Sequence, residues 1–347
     1  MDENAEIPLP SVSNVDVAAS AETCNHNESN NDSSLNIGKD ENAQEDNGSD
    51  SNPKVLSTLA QDDRQGKERS MGKTKEKRMF DSDLEDNGVR KILEALTEEE
   101  KNLMPDENEA MRHFRAEKGD VKKAIKKIKY ALNWRKDYGV SKLTSAFYED
   151  SSSTTPNPDL AASRALLLEE SMTGKLYAGG YDRVGHAILY MFPKNECSTN
   201  GENNIKNVVY QMERAIACSG KNNFEKIIIL VDFTGWTMKV APPIKVTKQF
   251  LHVLQECYPE RCLRIYAYNA PIIFRVFWNI VKPLMDPLTK SKIIFCSQKS
   301  GKKTLNNDFD MDKIHQNFGG TVELRKFDAE EYFQMPMHLS FDEKAGD

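Results

Sequence analysis

The run "IIILV", Ile227–Val231, is apolar at every position. A strand with one wet face alternates apolar and polar side chains, so an unbroken run must be covered on both sides. In so short a segment that marks a strand buried inside a parallel sheet, with helices above and below. The surrounding sequence fits. Strands are predicted at "KLYAG" (175–179), "HAILYMF" (186–192), "KIIILVDF" (226–233), "LRIYAYN" (263–269) and "KIIFC" (292–296). Between them lie a helix carrying Ile205, Val208, Val209, Met212 and Ile216, and another opened by Pro242-Pro243 and carrying Val246, Phe250, Leu251 and Leu254. Strand and helix in alternation predict an α/β layered fold.

Directly after the fourth strand comes "PIIFRVFWNIVKPLM" (271–285), in which ten of fifteen residues are Ile, Val, Phe, Trp, Leu or Met. Arg275, Asn279 and Lys282 recur at i, i+4 and i+7, which on a helix gathers them into one narrow polar stripe. A membrane-spanning helix needs about 20 apolar residues in a row. Here two cations interrupt the run and Pro283 ends it. No other segment comes closer.

The first 63 residues differ from the rest. Fourteen Asp or Glu stand against two Lys, with no aromatic residue. Such a segment buries too little apolar surface to offset its ordering entropy, and disorder is predicted for it. The chain's −7 less the −12 of this stretch leaves +5, so the remainder is mildly basic. A basic run, "GKERSMGKTKEKR" (66–78), marks the junction; the tail is placed at 1–85. A small helical unit is predicted at 86–148. Within it Asp120 opens an amphipathic helix with Val121, Ala124, Ile125, Ile128 and Leu132 on one face. Its other face shows Lys122, Lys123, Lys126, Lys127 and Lys129, a solvated face that would also suit an anionic surface.

Motifs for catalysis are missing. There is no phosphate-binding glycine loop, no G-x-S-x-G elbow and no H-E-x-x-H. Asp232, ending the buried strand, reads as a cap of the turn "FTGWT", with a catalytic acid as the alternative. Cys257 and Cys262, with His252 nearby, read as core thiols rather than metal ligands. The expectation is a non-enzyme with no metal and no cofactor. The N-terminus shows neither a secretory leader nor a myristoylation glycine, so a cytoplasmic protein is expected.

Several stretches then fall in the order seen in one family. "FRAEKGDVKKAIKKIKYALNWRKDYGV" (114–140) resembles the helical N-terminal unit of the CRAL-TRIO lipid-binding proteins. "YDRVGHAILYM", "IIILVDFTGW", "ECYPERCLRIYAYNAP", "VKPLMDPLTKSKI" and "FGG" (318–320) follow in that family's order. Within it the chain looks like the yeast-type phosphatidylinositol transfer proteins. The resemblance implies a mixed, largely parallel sheet covered by helices at 160–335, with an apolar cavity under a gate helix. It implies that Phe274, Phe277, Trp278, Ile280 and Val281 form the gate and acyl cavity. The ligand implied is a phospholipid, phosphatidylinositol, exchanged during transient contact with a membrane surface; no nucleic-acid partner is expected.

In the resemblance, Lys292 and Thr289 of "PLTKSK" meet the lipid phosphate, Glu260 of "YPE" meets the inositol hydroxyls, and Lys118 adds a cation. Glu117 stands where Arg is usual, and Lys239 stands where choline-lipid binders carry a hydroxyl. Phosphatidylinositol without phosphatidylcholine is therefore the expected ligand. The rival reading is a sensor or adaptor holding a tocopherol- or retinoid-type molecule.

Overall fold

The computed structural model describes residues 81–148 and 157–343. The acidic stretch 1–63 and the basic run 66–78 lie outside the described residues. A helical unit comes first: α1 (Ser82–Ala95), α2 (Glu98–Asn102), α3 (Glu109–Ala116), α4 (Val121–Tyr138) and α5 (Val140–Thr144). The boundary of the tail at residue 85 is corrected here, because Asp81 already caps α1 by accepting from the Asp83 N–H. As read from the sequence, the Asp120 carboxylate caps α4, accepting from the Lys123 N–H. Gly139, with φ of 73°, ends α4 in the left-handed conformation that a β-carbon disfavours. Ile92, Phe114, Ala124, Ile128 and Leu132 bury the shared core of this unit.

A helix the sequence reading had not assigned, α6 (Pro158–Ser171), leads into the sheet. Its strands are β1 (Leu176–Tyr181), β2 (Ala187–Met191), β3 (Ile227–Asp232), β4 (Cys262–Tyr268) and β5 (Ile293–Cys296). All five predicted strands are present within two residues of their expected bounds. They lie in the order β1-β2-β3-β4-β5. β1 and β2 are antiparallel, and every other pair is parallel. The crossovers are α7 (Gly201–Lys221) between β2 and β3, and α8 (Ile244–Cys257) between β3 and β4. Between β4 and β5 the chain forms α9 (Phe274–Val281) and α10 (Pro287–Ser291). After β5 come α11 (Gln298–Leu305) and α12 (Ala329–Gln334).

Period-two alternation sorts the strand side chains onto two faces. One register row reads Tyr177, Tyr190, Leu230, Tyr266, Ile294 across the sheet. It packs against Phe309, Phe318, Tyr332, Phe333 and Phe341 in a continuous core. Phe341 is fully buried, so this lobe runs past the residue 335 expected for its end. The neighbouring row, Leu176, Met191, Val231, Ala267, Phe295, points the other way. The unbroken run Ile227–Val231 feeds both faces, as its sequence required.

The helical unit joins this lobe through a shared apolar core, in which Trp134, Val140 and Leu143 pack with Leu176, Val253 and Tyr258, and through a cluster of ions. The Arg112 guanidinium, buried, reaches Asp106, Glu109 and Glu225, and Arg261 joins the same Asp106. Burial opposes ionisation of Glu109, yet His113 and Arg112 outweigh it and hold the carboxyl at about 2. Arg135 and the Tyr258 hydroxyl both donate to Glu213, each at 2.6 Å.

Candidate functional site

The parallel pairing of β4 and β5 forces their connection to cross a whole face of the sheet. Here it does so over the aliphatic row, leaving an apolar cavity of about 260 Å³. The floor is Ile229, Val231, Ile265, Ala267 and Ile293 of the sheet; one wall is Val246, Phe250 and Leu254 of α8. The roof is α9. Phe274, Phe277, Trp278 and Val281, at i, i+3, i+4 and i+7, line the cavity from one helix face. At the mouth Phe274 packs on Phe233 at 4.4 Å and on Trp236 at 5.4 Å between ring centroids.

Of the expected gate residues, Ile280 is misplaced. It does not line the cavity and is half exposed, because it lies about 100° around the helix from Val281 and about 60° beyond Phe277, outside the lining face. Ile272, Ile273 and Val276 are exposed beside it. The roof helix therefore has two apolar faces, one turned into the cavity and one to solvent. Arg275 and Lys282 flank the helix as exposed cations, and Lys239, Lys245 and Lys248 are exposed in the segment that leads into and opens α8. Lys239 stands in a turn next to cavity-lining Val240, and points away from the interior.

Glu260, Lys292 and Thr289 gather at the opposite edge of the sheet, where β4 and β5 begin. The Lys292 ammonium stands 3.6 Å from Glu260 Oε2, and Lys226 stands 3.8 Å from the same atom. Cys262 is half-buried beside them, and desolvation pushes its thiol up to about 12. Thr289 lines the cavity, and its hydroxyl donates to Asp286 Oδ2 at 2.5 Å. Burial raises the Asp286 carboxyl, but the Thr289 hydrogen bonds outweigh it and keep it below the usual range. Lys118 does not join this group: it is exposed in the turn between α3 and α4, with φ of 54°. Glu117 beside it pairs with Lys127, which also pairs with Glu256 of α8. So part of the lysine face of α4 is not solvated but bridges two helices.

Lys175, Glu196 and Asn204 form the far end of the cavity, where Lys175 is held by Glu170, Glu196 and Ser198. Asp232 faces the packed side. Its carboxylate accepts from the Thr234 N–H at 2.9 Å, the cap expected from the sequence. Cys257 is buried in the core, while the His252 ring sits 2.8 Å from the Tyr130 hydroxyl, so these groups serve separate contacts. The sequence reading missed Phe233, Trp236 and Phe295 as cavity residues. The only signal was their aromatic character at strand ends, where large rings close a pocket mouth.

Residues 171–320 match the CRAL/TRIO domain family. The chain is 27% identical over 236 residues to a CRAL-TRIO domain-containing protein of Schizosaccharomyces pombe, covering 68% of this chain and 21% of that one. It is 30% identical over 190 residues to the phosphatidylinositol transfer protein PDR17 of Saccharomyces cerevisiae, covering 53% and 51%. To the SEC14 cytosolic factor of Candida glabrata it is 26% identical over 236 residues, covering 63% and 72%. Thus the chain spans about a fifth and a half of the first two relatives. The crystal structure of Sfh5 superimposes with a TM-score of 0.50 at 16% identity, covering 74% of this chain and 97% of that one, a likeness of fold. Among the described residues, no helix is long and apolar enough to cross a membrane.

Proposed function

We propose that this protein binds a phospholipid, phosphatidylinositol, in the CRAL/TRIO cavity and carries it between membranes without covalent chemistry. The observation that carries the reading is the apolar cavity roofed by α9, with a cationic and carboxylate group at the sheet edge beyond Thr289. Each methylene brought into water costs about 0.8 kcal/mol, so roughly thirty of them oppose unassisted transfer by on the order of 20 kcal/mol. A chamber that stays apolar removes most of that barrier. The relatives named for phosphatidylinositol transfer support the same direction.

At about 260 Å³ the cavity is smaller than the roughly 300–1,000 Å³ of small-molecule pockets, so admitting two acyl chains requires the roof to move. In this reading the outer face of α9 rests on the bilayer while the inner face covers the chains. Lys292 and Thr289 meet the phosphodiester, Thr289 turning its proton away from Asp286, and Glu260 accepts from inositol hydroxyls. A peripheral, cytoplasmic protein follows from this cycle.

The test is to extract the purified protein with organic solvent and identify the released molecule by mass spectrometry. A phosphoinositide supports the reading. An isoprenoid would move it to the sensor class, and a molecule without a phosphate would remove the headgroup assignment. Ile280→Asp separates the two helix faces: we expect bound lipid to be retained, while exchange with vesicles slows about tenfold, as burying a charge at the interface costs on the order of 1–2 kcal/mol. Unchanged exchange would take the outer face out of the cycle.

A further inference from the structure

The roof, 271–291, rests on the lobe through rings. Phe274 meets Phe233 and Trp236, Phe277 meets Trp236 at 5.7 Å, and Trp278 meets Phe295 at 5.2 Å between centroids. One polar bond breaks this pattern: the Asp286 N–H donates to Gln255 Oε1 of α8 at 2.7 Å. Beyond the turn at its own exit, where the Lys292 N–H meets the Thr289 carbonyl, no other hydrogen bond or ion pair among the described residues ties 271–291 to the rest of the protein. The local sequence leaves this donor over. Asp286 caps α10, and an N-cap N–H has no partner within its own helix. In a capping box the third helical residue would reach back to it. Here that residue is Thr289, whose hydroxyl goes to the Asp286 carboxylate instead. Pro283 and Pro287 on either side have no N–H to offer. Gln255 takes the donor that remains.

A ring contact and a hydrogen bond answer displacement differently. Apolar contact is non-directional, so rings can slide on one another with water still excluded. A hydrogen bond weakens steeply once its distance and angle are lost, and so sets a threshold that the rings do not. Gln255 stands outside the cavity. Leu254 before it lines the chamber, as do Met285 and Thr289 near Asp286, but Gln255 and Asp286 do not. The bond therefore acts on the roof and leaves the lipid's own contacts alone. Its α8 end is braced, because Glu256, the next residue, pairs with Lys127 of α4 at 3.0 Å. We propose that Gln255 is a positioning residue for lipid exchange, a latch whose single bond holds the roof shut. This rests on the lipid-carrier reading above and gives its moving part a control point.

The experiment follows pyrene-labelled phosphatidylinositol leaving phosphatidylcholine vesicles for unlabelled ones, with hydrogen–deuterium exchange of the full chain alongside. Gln255→Met keeps the length of the side chain and removes the acceptor. Transfer should speed up roughly fivefold, the size expected for loss of one neutral hydrogen bond. The Asp286 amide and segment 271–291 should exchange faster, while the five strands and the thermal unfolding midpoint stay as in wild type. Transfer at the wild-type rate with the Asp286 amide exposed overturns the latch, because the roof then opens without waiting for this bond. An Asp286 amide as protected as in wild type overturns it as well. Protection lost across the strands, with a lowered midpoint, makes Gln255 a packing residue and also overturns it. If the wild type moves no labelled lipid, the carrier reading fails, whereas the Asp286 amide still decides whether Gln255 holds the roof.

Discussion

The two faces of the sheet come from the same strands and are close to equally apolar, but they are filled differently. On one side Tyr177, Tyr190, Tyr266 and Tyr268 meet Phe309, Phe318, Phe333 and Phe341, and rings interlock until no room remains. On the other, Leu176, Met191, Val231 and Ala267 are short of the facing helices, and the gap persists as a cavity. Side-chain volume on alternate residues, rather than hydrophobicity, separates core from chamber. Rings anchored on one face supply the rigidity that lets the other stay hollow, since interiors are otherwise packed to crystal-like density.

That contrast can be broken most strongly on the packed side. Phe318 touches Tyr190, Phe192 and Tyr268 and is fully buried. Phe318→Ala should cost about 3–5 kcal/mol in urea unfolding; a loss below about 1 kcal/mol would mean this face is not the packed one. On the roof of the other face, Phe277→Asp should lower lipid transfer between vesicles roughly thirtyfold, the equivalent of about 2 kcal/mol for a polar group against acyl chains. The unfolding midpoint should stay close to wild type, because Phe277 is only partly buried. A collapse of stability would instead mark Phe277 as ordinary core. The smallest effect is the most discriminating. Ala267→Phe adds a ring where a packed core would lose about 1–3 kcal/mol to overcrowding. In the hollow face stability should change by less than about 1 kcal/mol, while lipid uptake drops several-fold. A full overpacking penalty there would refute the contrast.

Much of this was legible in the sequence because it is local. The five strands and the N-cap of α4 follow from periodicity and cap chemistry within a few residues. What was not legible depends on partners far along the chain. Phe341 is buried because it meets Tyr177 and Tyr332, and nothing around it in sequence announces that. Glu117 is a departure in a motif until the fold shows it held by Lys127. Ile280 shows the limit of composition: a helix apolar nearly all round does not reveal which side looks inward. Lys226 sits before a strand with no motif of its own, and only strand order sets it next to Glu260.

The roof has both its footings on neighbouring strands. Asn269, where β4 ends, is pinned by its N–H to the Cys296 carbonyl at 2.7 Å and by its side chain to Thr234 at 3.0 Å, and takes φ of 54°, a conformation Asn tolerates. At the other footing, the Lys292 N–H holds the Thr289 carbonyl at 3.2 Å where β5 starts. Under the proposed cycle this strap, tied once more where the Asp286 N–H donates to Gln255 Oε1 of α8 at 2.7 Å, would lift like a handle while every rung of the sheet ladder stays in place. Loading and unloading would then leave the rest of the molecule undisturbed.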